Sequence, residues 1–183
     1  MGQTAAAPPS PGQVGAGGAV RADLEEVFCR DYPVVVGVAA RALGSRDQAE
    51  DVAQEVFLSF ARSSVPAGEA RRWLTVAAAH TALNLVRAGR RRASREATTA
   101  AADLALASDV ADAVVTSEER RRVRTALGRL PRKQAVALVL RHSGLTYAEV
   151  AAALGLAPGS VGTTVRRAES ALRKELNRHG PSD

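Results

Sequence analysis

Apolar side chains recur along this chain at the spacing of one face of a helix, and breakers divide the recurrences into segments. Leu24, Val27, Phe28 and Tyr32 open the first segment, and Val35, Val36, Ala39, Ala40 and Leu43 continue it past Pro33. Gly44-Ser45 ends it. The next helix is expected to take Asp47 as its cap and to turn Val52, Val56, Phe57 and Phe60 inward. Ser63 to Gly68 (SSVPAG) is a breaker. A further helix is expected from about Glu69 to Arg91, with Trp73, Leu74, Val76, Ala77, Leu83 and Val86 apolar. These segments predict one compact helical domain over residues 21–95.

The rest of the chain divides by contrast with that domain. Met1 to Ala19 (MGQTAAAPPSPGQVGAGGA) carries no charge and supports no apolar face, so residues 1–20 are expected to be a disordered leader. Residues 96–117 are small, mildly acidic and weakly periodic, and are expected to form a flexible linker with some helical tendency. A second domain is expected over residues 118–178. Within it, Thr146 followed by Glu149 is a capping box, in which hydroxyl and carboxylate each satisfy a free backbone N–H. Val150, Ala151 and Leu154 face inward, Gly155 supplies a positive φ, and Pro158 suits the first position of the following helix. Val161, Val165, Ala168 and Leu172 then line that helix's inner stripe. The spacing predicts a helix-turn-helix with a recognition helix, and the whole chain an all-α fold of two small helical domains.

Composition agrees with helices. Hydrophobic residues make up 46% of the 183, but aromatics only 3%, so the cores must be built from Ala, Val and Leu. The formal net charge of +6 favours a polyanionic partner, and the positive charge is segregated. The single cysteine, Cys29, excludes an intramolecular disulfide. His80, His142 and His179 match no metal-ligand spacing, and neither a cofactor nor a metal is implied. No apolar run of about eighteen residues predicts a membrane span. With no basic-then-apolar start, the chain reads as cytoplasmic.

Three surfaces carry candidate chemistry. In DQAEDVAQEVFLSFAR, Asp51, Gln54, Glu55 and Leu58 share one exposed face, and Asp47, Glu50, Asp51 and Glu55 have no basic residue among them. Such a face repels DNA and suits a basic protein partner, although an ordinary solvated helix face looks the same. The next helix opens with Arg71, Arg72 and Trp73 and closes with Arg87, Arg90, Arg91, Arg92 and Arg95, with no acidic residue from Trp73 to Arg95. His80, Thr81 and Asn84 lie between. Arginine ends that bind phosphate, with hydrogen-bonding groups in the middle, suit melted or single-stranded DNA. Trp73 fits a core position better than a stacking platform. On the recognition helix, Ser160, Thr163, Thr164, Arg166, Arg167 and Arg173 face outward to reach phosphates or base edges.

The chain resembles the bacterial sigma-70 family of RNA polymerase sigma factors, in its extracytoplasmic-function subfamily. The segments that carry the likeness are DQAEDVAQEVFLSFAR, ARRWLTVAAAHTALNLVRAGRRR, LGRLPRKQAVALVLRHSGLTYAEVAAALGLAPGSV and RRAESALRKEL. The resemblance implies sigma region two over residues 21–95 and sigma region four over 118–178. It implies no enzyme activity but a subunit that binds core RNA polymerase, recognises promoter DNA and assists its melting. Asp51, Gln54, Glu55, Phe57 and Leu58 would then meet core polymerase, with Phe57 also read as core. Arg72, Trp73, His80, Asn84, Arg87, Arg90 and Arg91 would meet the minus-ten element. Ser160, Thr163, Thr164, Arg166 and Arg167 would meet the minus-thirty-five element. The resemblance also admits an anti-sigma protein as a partner, and no membrane. His80, Ala157, Gly162 and Thr164 depart from residues common in the family.

Two other readings stand beside it. A stand-alone helix-turn-helix regulator would bind duplex DNA without polymerase, but calls for a ligand, receiver or dimerisation domain. A recombinase with a C-terminal reading head would need a nucleophile constellation that the residues do not supply.

Overall fold

A computed structural model describes residues 22–99 and 111–178. The expected leader over 1–20 lies outside them, as do residues 100–110 of the expected linker. The described residues form seven helices and no strand: α1 (Leu24–Leu43), α2 (Arg46–Ala61), α3 (Ala70–Thr99), α4 (Ala111–Arg129), α5 (Arg132–His142), α6 (Tyr147–Leu154) and α7 (Pro158–Arg178), with a 3-10 turn at Ala67–Glu69. Among them no helix is long and apolar enough to cross a membrane.

Local chemistry explains most boundaries. Pro33 sits inside α1 without ending it. The carbonyl it leaves unbonded, that of Cys29, belongs to an exposed residue where water can replace the lost bond. Gly44 closes α1 in the left-handed conformation, at φ 67°, which an L side chain rarely adopts. Ser45 follows as the cap of α2, accepting a long 3.5 Å bond from the Gln48 N–H. This corrects Asp47 as cap: Asp47 lies in the first turn, where its charge complements the positive end of the helix. α3 runs to Thr99 instead of ending near Arg91, because the Arg- and Ala-rich stretch beyond Gly89 is made of strong helix formers. α4 begins within the stretch expected to link the domains.

The buried residues form one continuous cluster. Val35, Val38, Val52, Phe60, Leu74 and Leu83 fill the space among α1, α2 and α3. Val136, Leu140, Val150, Val161 and Val165 fill that among α5, α6 and α7. α3 also packs against α4, α5 and α6, so the two halves share an interface. The α3 residues Ala78, Ala79 and Ala82 are fully buried, and their small side chains let neighbouring backbones approach closely.

The helix-turn-helix forms as its residues predict. The Glu149 N–H donates to Thr146 Oγ1 at 3.2 Å, and the Thr146 N–H donates to the Glu149 carboxylate at 2.7 Å. Gly155 ends α6 at φ 60°, and Pro158 begins α7. The Thr146 bonds hold the Glu149 carboxyl below its ordinary range. The box therefore stabilises α6 in full above that range and weakens as the carboxylate protonates on acidification. Replacing Thr146 by Ala should cost about 1 kcal/mol of stability in urea denaturation at neutral pH.

Candidate nucleic-acid and partner interfaces

On α2 the structure turns Asp51, Gln54, Glu55 and Leu58 to solvent on one face, while Val52, Ala53, Val56, Phe57 and Phe60 are buried on the other. Leu58 is 60% exposed, unusual for a side chain of its size. Phe57, at 4%, is a packing residue: its ring meets Phe28 edge-on, with centroids 5.0 Å apart. Between α1 and α2 an open, mostly apolar groove of about 530 Å³ is lined by Leu24, Phe28, Gln54, Phe57 and Leu58, with Glu25 at its rim. The acidic face is smaller than its sequence suggests, because Arg46 pairs with Glu50 at 2.9 Å, one turn away.

The arginines of α3 do not form one open surface. Asn84, Arg90 and Arg91 are exposed. Arg72 is engaged by Glu69 at 2.8 Å, one turn earlier. Trp73 packs at the edge of the core, its ring centroid 5.9 Å from that of Phe60, and its indole N–H is buried without a hydrogen-bond partner. His80 and Arg87 are half-buried under the C-terminal half. Arg132, at the start of α5, donates from Nε to His80 Nδ1 at 3.0 Å. Arg87 donates to the Leu130 carbonyl, between α4 and α5, at 2.9 Å.

That environment is electrostatically unfavourable for positive charge. Burial, followed by the nearby Arg132 and Arg87 guanidiniums, pushes the His80 imidazole below its ordinary pKa. Burial, then Arg132, Arg90 and Arg91, likewise push Arg87 down. Arg124 makes a further bond across the halves, to the Leu43 carbonyl at 3.1 Å. Arg124, Gly128, Leu130 and Arg132 have no signal in the sequence beyond charge and size, since each acts through its position against the other half.

On α7, Ser160, Thr163, Arg166 and Arg167 are exposed. The Thr164 hydroxyl is turned back onto the Ser160 carbonyl at 2.8 Å, which occupies its donor hydrogen. Val161, Val165 and Ala168 hold the opposite face against the core. The three candidate surfaces thus lie on three helices, and no side chains of α2 and α7 are brought into one site.

Residues 28–92 match the model of sigma-70 region 2, and residues 120–172 match that of sigma-70 region 4. The ECF RNA polymerase sigma factor SigK of Mycobacterium ulcerans is 34% identical over 149 residues, covering 78% of this chain and 80% of its own. SigK of Mycobacterium bovis is 32% identical over 163 residues, covering 86% and 87%. Among solved structures, that of the sigma factor RpoE in complex with the anti-sigma factor NepR from Bartonella quintana covers 87% of this chain and 99% of its own. It is 22% identical, with a TM-score of 0.48. The two region models in order, together with relatives aligned over most of their length, show that the chain belongs to the extracytoplasmic-function RNA polymerase sigma factors of the sigma-70 family.

Proposed function

We propose that this sigma factor docks on core RNA polymerase through the solvent face of α2 and contacts promoter DNA at two places. In this reading residues 21–95 and 118–178 are the working units and 96–117 connect them. Asp51, Gln54, Glu55 and Leu58 form the docking face, with Phe57 supporting it from beneath. Arg72, His80, Asn84, Arg87, Arg90 and Arg91 follow the minus-ten strand, and Trp73 braces their helix against the core. Ser160, Thr163, Thr164, Arg166 and Arg167 enter the groove at the minus-thirty-five element. The phosphodiester chemistry belongs to the polymerase, and this subunit works with it in the cytoplasm. An anti-sigma protein would act by covering the α2 or α3 face.

The observation that supports this reading most is the segregation of charge on adjacent helices. α2 shows carboxylates and Leu58 to solvent, whereas the exposed part of α3 carries Arg90, Arg91, Arg92 and Arg95, with no acidic residue between Trp73 and Arg95. A nucleic-acid binder gains nothing from the first surface, and a protein-only adaptor gains nothing from the second. A subunit that joins a basic protein surface to DNA uses both.

Run-off transcription with core polymerase on genomic promoter fragments tests the whole. A transcript that requires this protein is the expected result, whereas DNA binding without core binding would favour the stand-alone regulator. Reversing charge at both Asp51→Lys and Glu55→Lys should weaken core binding by about tenfold or more in a pull-down titration, with an unchanged circular dichroism spectrum. Removing Arg90 and Arg91 as Ala should leave core binding intact. In single-stranded DNA binding it should lower the slope of log K against log salt by about 0.7 for each phosphate that is no longer neutralised.

A further inference from the structure

We propose that the proline stretch of the chain's own leader, Pro8-Pro9-Ser10-Pro11, docks in the apolar groove between α1 and α2 and covers it. That this cover competes with core polymerase rests on the assignment of the α2 face to core docking made above. Occupation of the groove does not.

The groove has the chemistry of a polyproline site. Phe28 and Phe57 line it, and Tyr32 extends the aromatic cluster, its ring centroid 4.6 Å from that of Phe28. Phe28 is 40% exposed and Leu58 60%, so a sizeable apolar surface is left to water. Proline-rich PxxP segments dock on aromatic-lined grooves because their extended helix is already formed, so little chain entropy is lost on binding. Pro8-Pro9-Ser10-Pro11 has that spacing and holds three of the chain's eight prolines. Ala5, Ala6 and Ala7 before it keep the segment slim and apolar.

Connectivity brings this segment to the groove. The leader joins the described residues at Ala22, which itself lines the groove beside Leu24. Between Pro11 and Ala22 stand ten residues, four of them glycine. A glycine-rich connection of that length spans about 17 Å on average. It holds the proline stretch near the groove at an effective concentration on the order of millimolar. A contact too weak to persist between separate molecules therefore persists within one.

Charge makes the cover displaceable. Residues 1–20 carry no charged side chain, which suits the apolar floor of the groove. Glu25 stands at the rim, and Asp51 and Glu55 share the exposed face of α2 with Gln54 and Leu58. The proline stretch covers Phe28 and Leu58 but leaves those carboxylates unpaired. A basic protein partner satisfies both the apolar surface and the carboxylates, and so displaces it.

The test compares the full-length chain with two leader variants, neither of which alters a residue of the helices. One combines Pro8→Gly, Pro9→Gly and Pro11→Gly and keeps the leader's length, and the other deletes residues 2–12. The backbone amide chemical shifts of Phe28 and Leu58 should move in both variants, and to the same values. A synthetic peptide of residues 1–13, added to the deleted chain, should return them towards wild type. Affinity for core polymerase should rise about fivefold in both variants, the factor for a groove covered about 80% of the time. Unmoved Phe28 and Leu58 shifts overturn the proposal and leave the groove open to other partners. So does a response to deletion without one to the proline replacements, which marks simple obstruction by a tail. A shift difference that fades on dilution assigns the groove to the leader of a second copy and overturns the intramolecular cover. Shifts that move as expected while core affinity stays unchanged leave the groove occupied. They remove instead the assignment of the α2 face to core polymerase.

Discussion

Everything in this molecule is arranged around the packing of α3, which touches α1, α2, α4, α5 and α6. Its inner face is made largely of alanine, with Ala78, Ala79 and Ala82 at 0% exposure and Leu74 and Leu83 on either side of them. Small side chains contribute little burial each, so the helices hold together through closeness rather than bulk. Thr75 fits this constraint although it is polar: it is buried, and its hydroxyl returns to the Arg71 and Arg72 carbonyls at 2.8 and 3.0 Å. Enlarging any of these positions would force the backbones apart, a cost of about 1–3 kcal/mol in a packed core.

The same closeness shapes the electrostatics. α3 carries arginines at both ends and is embraced by α4 and α5, which carry more. Where the halves touch, guanidiniums satisfy themselves on backbone carbonyls: Arg87 of α3 on Leu130, and Arg124 of α4 on Leu43 at the end of α1. Carbonyl acceptors satisfy hydrogen bonds but do not neutralise charge, so the contact stays repulsive at long range while being well bonded at short range. The solvent face of α2, with Asp47, Asp51 and Glu55, is a separate acidic surface. A chain of net charge +6 thereby keeps an acidic surface, at whose edge Arg46 closes on Glu50.

The legibility of these features in the sequence differs by scale. Elements set by local bonding are readable to within a residue or two. The Thr146–Glu149 box, Gly155 and Pro158 each act over four residues or fewer, and the helix-turn-helix they define forms accordingly. The inward stripe of α2 is readable from periodicity alone. Boundaries are harder where two local signals compete, as where Gly44 in the left-handed conformation hands the cap of α2 to Ser45 instead of Asp47. α3 extends beyond its expected end because arginine's charge, the more conspicuous property, masks its helix propensity.

What the sequence determined by itself was α1, α2, the first part of α3, α6 and α7, the inner and outer faces of these helices, and the family to which the chain belongs. All of these follow from interactions between residues near one another along the chain, or from the order of motifs. Only the tertiary structure decided which outward residues are free. Asp51, Leu58, Arg90 and Arg166 face solvent, whereas His80 and Arg87, equally polar in the sequence, are bonded to residues 43 or more positions away. A contact of that range depends on how two folded halves meet, and no periodicity within either half encodes it.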